Sequence, residues 1–324
     1  MISTALRQHT VPERGQEFVS DPKLRLPFRS IQLFDKSWLN ALLKAEDTLS
    51  STGCFGTLYL WGESYGLRVA KLVNRLISRY GTGEEMSFGY PMGSGDIQVP
   101  VLAMRQAAAE AGVPLKLRGV TEVQKANLEK AFPGQFVFTE NRDEADYVYE
   151  ANKLATLSGN KLHSKKNHCN RFQKTYPDWR FEVLTKEHFP ACLSLLDQWE
   201  ASKDVVETEE QTAEPKAIAK AFAAYDELGL DGGILFVGEQ PVAFTLGERV
   251  GGHGFDVRFE KADTAFDGAY PMINREFVRY LVGKYEDLQF INREEDMGLE
   301  NLRKAKLSYK PAMMVAKYNA VWED

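Results

Sequence analysis

The chain has 324 residues, of which 44% are hydrophobic and 11% aromatic, so it holds enough apolar material for two globular domains. This composition excludes a disordered or fibrous protein, which would be poorer in apolar residues or richer in Gly and Pro. The formal net charge of −6 excludes a protein that is basic over its whole surface, so any site for nucleic acid or anionic lipid must be local.

We expect no targeting or membrane signal at the start of the chain. Residues 1–20 mix acidic and basic side chains without an apolar core, which excludes a secretory signal. No run approaches the roughly 18 apolar residues of a membrane span. Cys54, Cys169 and Cys192 lie too far apart for a disulfide framework or a zinc knuckle. We therefore expect a cytoplasmic protein without a metal ion.

The first half of the chain alternates predicted strands and helices. Aromatic and β-branched residues predict a strand at Phe55–Trp61, whereas residues 67–80 fit either a strand or a helix. An Ala-, Leu- and Met-rich run that ends at Gly112 predicts a helix, and Thr121 followed by Gln124 is a capping box that begins another. Further short strands are predicted at residues 115–120, 136–138 and 147–149.

The middle of the chain, residues 151–177, is strongly basic. It contains no acidic residue and six cations, so its formal charge is +6 and the remainder of the chain carries −12. This shift in charge predicts a junction between two domains. Four of the cations form the candidate site for the phosphates of a tRNA or for anionic lipid headgroups: Lys161, Lys165, Lys166 and Arg171. The alternative is that they form the solvated side of a junction helix.

The second half begins with a predicted strand at residues 179–184 and a helix around residues 193–199. A polar loop is predicted over residues 201–214, followed by a helix that begins at Pro215. The remaining predicted elements are hairpin strands at 233–237 and 242–246, a strand at 255–259, a helix at 270–285, a strand at 288–292, a helix at 299–309 and a closing strand at 313–318.

One of these strands carries a polar face. Alternation along residues 255–259 places three apolar side chains on one side and Asp256, Arg258 and Glu260 on the other. Asp256 and Arg258 are candidate catalytic residues, because a carboxylate can act as a base and a guanidinium can hold a phosphate or carboxylate. The alternative is a solvated ladder of charges on an exposed strand face.

Three segments, residues 150–172, 267–277 and 292–311, resemble the signature segments of a bacterial family related to the catalytic carboxy-terminal domain of phosphatidylglycerol lysyltransferase. The resemblance implies an α/β (α+β) fold of two tandem GNAT-like acyltransferase units, each with a mixed central sheet flanked by helices, as in Fem-type aminoacyl-tRNA transferases. We place an extension at residues 1–27, the first domain at 28–160, the basic junction at 161–178 and the second domain at 179–324.

The same resemblance suggests further site residues in the second half. Asn292 ends a strand where a GNAT-like sheet opens, and Tyr309 falls near the position of the general-acid tyrosine of GNAT enzymes, although it could equally pack against the sheet. The other candidate substrate-binding residues are Tyr270, Asn274 and Arg275 at the beginning of one helix, and Arg303 and Lys306 near the end of another. Cations at a helix end also occur without any function, because they complement the helix dipole.

Coenzyme A binding in GNAT enzymes needs a glycine-rich loop before a helix. Residues 249–254 match that pattern as letters, but a strand follows them, so a hairpin turn is the better interpretation. The expected loop, residues 260–270, has the single glycine Gly268. Residues 91–96 offer a second glycine turn, which is either a helix start capped by Asp96 or an anion pocket.

These observations favour an aminoacyltransferase that needs no bound cofactor and moves an aminoacyl group from aminoacyl-tRNA to a lipid, peptide or small-molecule acceptor. The first alternative is an N-acyltransferase that uses acyl-CoA on a small amine. The second is a binding protein that keeps the fold without catalysis.

Overall fold

Two mixed sheets form the framework of the protein, and each belongs to its own compact unit. The structure, a computed structural model, describes residues 24–201 and 209–323. Unit 1 comprises the chain up to Ala145 together with the segment from Val315, and unit 2 is Asp146–Met314. These boundaries differ from the predicted ones at two strands. The strand at residues 146–150 was expected in the first domain and lies in unit 2, and the strand at residues 317–322 was expected in the second domain and lies in unit 1.

Unit 1 contains seven strands in the order β1-β2-β3-β5-β14-β6, with β4 paired to β2. Its elements are α1 (Lys36–Glu46), α2 (Phe55–Trp61), β1 (Arg68–Leu72), β2 (Arg75–Tyr80), β3 (Ser87–Gly89), β4 (Met92–Gly93), α3 (Gln98–Glu110), β5 (Lys116–Thr121), α4 (Glu122–Ala131), β6 (Phe136–Glu140) and β14 (Lys317–Trp322). The capping box at Thr121 is confirmed by its hydrogen bonds with Gln124.

Unit 2 also contains seven strands, in the order β13-β7-β12-β11-β10-β9-β8. Its strands are β7 (Asp146–Glu150), β8 (Trp179–Val183), β9 (Asp231–Val237), β10 (Gln240–Val250), β11 (Gly254–Ala262), β12 (Phe290–Asn292) and β13 (Met313–Val315). Its helices are α5 (Ala151–Thr156), α6 (His163–Thr175), α7 (Phe189–Ala201), α8 (Glu209–Ala223), α9 (Tyr225–Leu228), α10 (Ala269–Lys284) and α11 (Glu300–Leu307). The predicted hairpin corresponds to β9 and β10.

Three predictions of single elements are wrong. Phe55–Trp61 is a helix, because Phe55 and Leu58 bury one helical face and this packing overrides the strand propensity of the aromatic residues. Pro215 lies inside α8 rather than at its first position. The predicted polar loop is helical from Glu209, while its residues 202–208 lie outside the described part of the chain.

The predicted closing strand at residues 313–318 is two strands in different sheets. Residues of β13 lie beside β7 in unit 2, whereas β14 lies between β5 and β6 in unit 1. Tyr318 and Ala320 of β14 pair with strands on both sides. The last strand of the chain is therefore a central strand of the first unit.

The basic segment is part of unit 2 rather than a linker. α6 buries Cys169 and Phe172 in the core of unit 2, and Leu154 and Leu162 before it are buried in the same core. The sequence window was basic because the exposed face of these helices carries the cations. A shift in surface charge therefore did not mark a domain boundary here.

None of the helices in the described ranges, 24–201 and 209–323, combines the length and the apolar character that a membrane span requires.

Gly247 determines how closely β10 approaches β11. The register between these strands shifts at Leu246 and Gly247. A Cβ atom at Gly247 would overlap the carbonyl oxygen of Asp256 and lie 2.8 Å from the ring of Phe255. Only glycine therefore fits opposite this part of β11 without moving its backbone.

We expect Gly247→Ala to destabilise unit 2 by about 1–3 kcal/mol, because the added methyl group overlaps backbone. The matched control is Gly283→Ala, since Gly283 is a helical glycine with open space around its Cβ position. That substitution should be neutral or stabilise by up to about 1 kcal/mol. Chemical denaturation of both variants checks the difference, and an equal effect would contradict the assigned register.

We also expect Ala320→Asp to destabilise unit 1 by about 3–5 kcal/mol, because an unpaired charge would enter the core. Ala320 is fully buried, whereas the side chain of its neighbour Val321 is 36% exposed. Val321→Asp should therefore change the free energy of unfolding by less than about 1 kcal/mol. Hydrogen exchange of β5 and β6 measures both variants. Equal protection in the two would argue against a central position of β14.

Candidate active site

The candidate site lies where two parallel strands of unit 2 separate. β11 and β12 pair from Gly254 opposite Phe290 to Asp256 opposite Asn292, and β12 ends there. β11 continues to Ala262 without this neighbour. The carboxyl ends of parallel strands in an open sheet are where ligands usually bind. The side chains around this point form two groups.

The first group, the Tyr309 cluster, consists of Tyr309, Lys165, Arg293, Glu260 and Asn274. Tyr309 follows α11 and is only 5% exposed. The guanidinium carbon of Arg293 lies 4.8 Å from the centre of its ring, and the ammonium nitrogen of Lys165 lies 4.3 Å from it. Two cations from different segments of the chain therefore contact one tyrosine ring.

Glu260 holds the inner part of this cluster together. Its Oε1 accepts a hydrogen bond of 2.8 Å from Nη2 of Arg293, and its Oε2 accepts one of 3.1 Å from Nδ2 of Asn274. Two buried atoms, Nη1 of Arg293 and Oδ1 of Asn274, have no hydrogen-bond partner in the described part of the chain. The cluster thus has one buried donor and one buried acceptor that bind no other group in the described residues.

The environment changes the pKa of the Tyr309 hydroxyl and the pKa of the Lys165 amine that contacts its ring. Burial raises the pKa of Tyr309, so its hydroxyl keeps its proton at neutral pH. Burial and the nearby Arg293 lower the pKa of Lys165. The cluster therefore combines a protonated hydroxyl with an amine that deprotonates more readily than an exposed lysine.

The second group, the Arg258 cluster, consists of Arg258, Asp256, Glu248 and Glu294. Arg258 donates 2.7 Å hydrogen bonds to Glu248 and Asp256, and its Nε lies 3.6 Å from Glu294. The side chains of Asp256 and Arg258 are 0% and 1% exposed. Asp256 and Arg258 lie together as predicted, whereas Glu260 lies in the Tyr309 cluster. The solvated ladder is wrong, because Asp256 and Arg258 are buried beside Glu248 of β10 and Glu294 of the loop after β12.

One guanidinium faces three carboxylates in the Arg258 cluster. Burial, opposed by Arg258 and reinforced by Asp146 and Glu248, raises the pKa of Asp256 to about 7. Burial and Asp256 likewise raise the pKa of Glu294. These carboxyls therefore retain protons that an exposed aspartate or glutamate would release.

The loop after β12 is fixed by groups that the sequence had suggested for ligand binding. Lys306 is buried and donates to the carbonyl oxygens of Arg293, at 2.6 Å, and Glu295. Arg303 donates to both carboxylate oxygens of Asp296, at 2.8 and 2.9 Å. Arg303 and Lys306 are therefore engaged within the protein and position the loop that carries Arg293 and Glu294.

Three other candidates also have internal roles. Asn292 is buried, and its Oδ1 accepts a 2.6 Å hydrogen bond from the backbone N–H of Glu294. Arg275 is buried and donates to Glu276. Tyr270 is half-buried beside Ala262, and burial raises its pKa. None of these contacts places the side chain in the Tyr309 cluster, which Asn274 does join.

The four basic candidates around α6 differ in their contacts. Lys165 contacts Tyr309, whereas Lys161 and Lys166 are exposed. Arg171 forms an ion pair with Asp267. Only Lys165 of this set is thus tied by a contact to the candidate site.

The two glycine-rich segments are filled by protein groups. Arg249 binds Asp287 at 2.8 and 2.9 Å beside the turn between β10 and β11, which confirms the hairpin interpretation of residues 249–254. In unit 1, Arg75 donates to the carbonyl oxygens of Pro91 and Gly95. The N–H of Gly93 is bound by Glu46, so a carboxylate occupies the turn that had been considered for an anion.

The sequence interpretation missed Arg293, Glu248 and Glu294, and treated Glu260 only as part of a strand face. Arg293 and Glu294 directly follow Asn292 at the end of β12. The rule that ligand-binding groups gather at strand ends would have extended the candidate site to them. Glu248 needed the pairing of β10 with β11, which residue patterns alone do not give.

Comparisons with known proteins agree with this fold. A crystal structure of a conserved protein of unknown function from Bacteroides thetaiotaomicron is 37% identical, spans 92% of this chain and 99% of its own, and superposes with a TM-score of 0.87. The structure of L-PGS from Bacillus licheniformis is 17% identical over 90% of this chain and 92% of its own, with a TM-score of 0.61. FemX shares the fold alone, at 7% identity, 91% and 97% coverage and a TM-score of 0.55.

A curated relative, an uncharacterized protein of Mycoplasmoides gallisepticum, is 25% identical over 182 residues. This match spans 55% of the chain and 56% of the relative, so the chain covers little more than half the length of that protein.

The architecture is therefore two mixed α/β sheets in a tandem GNAT-like arrangement, as the resemblance implied. The family model for the C-terminal part of phosphatidylglycerol lysyltransferase matches residues 46–321, which is well over half of the chain. On this match, the chain belongs to the phosphatidylglycerol lysyltransferase C-terminal family.

Proposed function

We propose that the protein is an aminoacyltransferase that takes an aminoacyl group from aminoacyl-tRNA, with the Tyr309 cluster of unit 2 as its active site. The family and the fold indicate an acyltransferase of the lysyl-phosphatidylglycerol synthase-like or GNAT-like type. The observation that carries the proposal is the contact of Lys165 and Arg293 with one buried tyrosine where β11 and β12 separate.

The cluster contains the groups that transfer of an acyl group from an ester requires. The acceptor attacks the ester carbonyl, and the oxygen of that carbonyl becomes negative in the transition state. The positive charges of Lys165 and Arg293 would stabilise this oxygen. The hydroxyl of Tyr309 would give its proton to the leaving oxygen of the ribose, because burial keeps it protonated.

The amino end of α10 argues against coenzyme A as the donor. In GNAT enzymes this end holds the pyrophosphate, for which backbone N–H groups must be reachable. A Cβ atom on Gly268, the residue before α10, would lie 2.9 Å from the carbonyl oxygen of His168 and 3.1 Å from Phe172. Helix α6 therefore packs against the position that a pyrophosphate would need, which supports a donor without one.

The acceptor is proposed as a class only. Its reacting group is a hydroxyl or an uncharged amine, because an ammonium has no free electron pair and would be repelled by Lys165 and Arg293. Lipids, peptides and small molecules with such a group satisfy this requirement.

We expect Tyr309→Phe to lower the rate of aminoacyl transfer by about 100-fold or more, because it removes the proton donor and keeps the ring. The measurement is transfer of labelled amino acids from tRNA to phosphatidylglycerol vesicles, peptides and small amines, with an acyl-CoA panel run beside it. The matched control is Tyr176→Phe, since Tyr176 packs against Phe172 at 4.9 Å in the same unit.

Transfer from acyl-CoA alone would replace the proposed donor. Binding of donors without transfer in any combination would instead favour a non-catalytic protein. A Tyr309→Phe enzyme that transfers as fast as the Tyr176→Phe control would remove Tyr309 from the mechanism.

We expect the Arg258 cluster to make unit 2 less stable as the pH rises from about 4 to about 7. The pKa of Asp256 rises from 3.8 to about 7 on burial, so in this range the folded state holds a proton that the unfolded state has lost. The free energy of unfolding then falls by up to about 1.4 kcal/mol per pH unit.

Asp256→Asn should reduce this slope, because the amide does not titrate and the carboxyl that helps to raise the pKa of Glu294 is removed with it. Hydrogen exchange of β10 and β11 between about pH 5 and about pH 7 measures it. The control is Asp178→Asn, which changes an exposed carboxylate of the same unit and should keep the slope. Equal slopes in both variants would show that Asp256 is already ionised in the folded protein.

A further inference from the structure

Lys165 is half-buried against the ring of Tyr309, whereas Lys161, Lys166 and Lys174 around α6 are exposed. Lys153 pairs with Glu150 at 2.6 Å, and Arg171 pairs with Asp267. Across the described ranges no carboxylate lies within ion-pair distance of the Lys165 ammonium, which rests on the ring of Tyr309. Lys165 is half-buried as a residue, and none of the described groups accepts a hydrogen bond from its nitrogen.

The surroundings of Lys165 make its ammonium easier to deprotonate than that of an exposed lysine. Arg293 contacts the same ring from 4.8 Å, so a second positive charge lies nearby, and Cys169 on the next turn of α6 is buried. Burial and the charge of Arg293 both lower the pKa of Lys165, with only a weak opposing effect of Cys169. A lysine placed in this way, beside another cation and partly out of water, is the usual form of a nucleophilic lysine.

We propose that Lys165 is itself an acyl acceptor, a modification site at which the ε-amine takes the acyl group of an activated donor and forms a stable amide. With aminoacyl-tRNA as that donor, the inference rests on the proposed function. Reactivity toward a small chemical acylating reagent does not, because it depends only on the accessibility and nucleophilicity of the amine.

The step is balanced as follows for an ester donor. The electron pair of the neutral nitrogen forms a bond to the carbonyl carbon, and the bond from that carbon to the ribose oxygen breaks. The nitrogen loses one proton, and the leaving oxygen gains one, with Tyr309 placed to pass it on. No oxidant, reductant or further reactant is needed.

Acylation of Lys165 would act on the site itself. The amide carries no charge, so one of the two cations on the Tyr309 ring is lost. The added acyl chain also lies against that ring and fills space beside the proton donor. Acylation of Lys165 therefore lowers the rate of transfer. An enzyme that is incubated with a donor and without an acceptor inactivates itself.

The test compares three lysines of the same protein. The full chain is treated at neutral pH with a limiting amount of acetic anhydride, and the acetylated peptides are quantified by mass spectrometry. Lys165 should react at least about threefold faster than the exposed Lys166 and Lys174 of the same helix. In denaturant the three rates should become equal, which controls for differences between the peptides. A Lys165 that reacts no faster than Lys174 in the folded protein overturns the proposal.

A second arm uses the biological donor. Incubation with aminoacyl-tRNA and no acceptor should add the mass of one aminoacyl group at Lys165, and Lys165→Arg should prevent this while Lys174→Arg does not. If transfer to external acceptors occurs and Lys165 remains unmodified, the inference fails and the proposed function stands. If no donor supports any transfer, the proposed function fails, and the anhydride arm alone decides whether Lys165 is a reactive acceptor.

Discussion

The parallel pairing of β11 with β12 is the constraint on which the candidate site depends. It joins only residues 254–256 to residues 290–292, after which β12 turns away and β11 continues. Backbone groups near this point lose their strand partner and need others. Lys306 donates to two carbonyl oxygens of the loop, and Oδ1 of Asn292 accepts from the backbone N–H of Glu294. Arg293 thereby lies in the Tyr309 cluster, and the next residue, Glu294, lies in the Arg258 cluster.

Most strands and helices of unit 2 could be predicted from the sequence, because their apolar residues recur at the spacing of a strand or of a helix. Alternation along β11 predicted Asp256, Arg258 and Glu260 on one polar face. In the structure Asp256 and Arg258 share a cluster, whereas Glu260, beyond the register shift, binds Asn274 of α10. The residue pattern could not show that the polar face is buried, because burial depends on β10 and on the loop after β12. The alternative of a solvated ladder is therefore wrong, and Asp256 and Arg258 lie in a closed ion cluster.

Pairing over long distances was the main part that could not be predicted. The basic segment differed in composition from its surroundings, but its apolar residues at helical spacing belong to the core of unit 2. Arg303 and Lys306 looked like a free cationic helix end because their partners, Asp296 and the carbonyl of Arg293, become neighbours only when the loop folds. Lys165, Asn274 and Tyr309 were three separate candidates in the sequence, and the structure brings them together through Arg293 and Glu260, which were not candidates.

The position of β14 has a consequence for the order of events during synthesis. The ribosome makes β5 and β6 early, yet the strand that lies between them is made only after all of residues 146–314. Until then both strands have an unpaired edge, which in a nascent chain invites pairing with other molecules. Unit 2 can complete its own sheet first. The sheet of unit 1 therefore stays incomplete until the end of β14 has been made, and a chain that stops before it leaves the edges of β5 and β6 exposed.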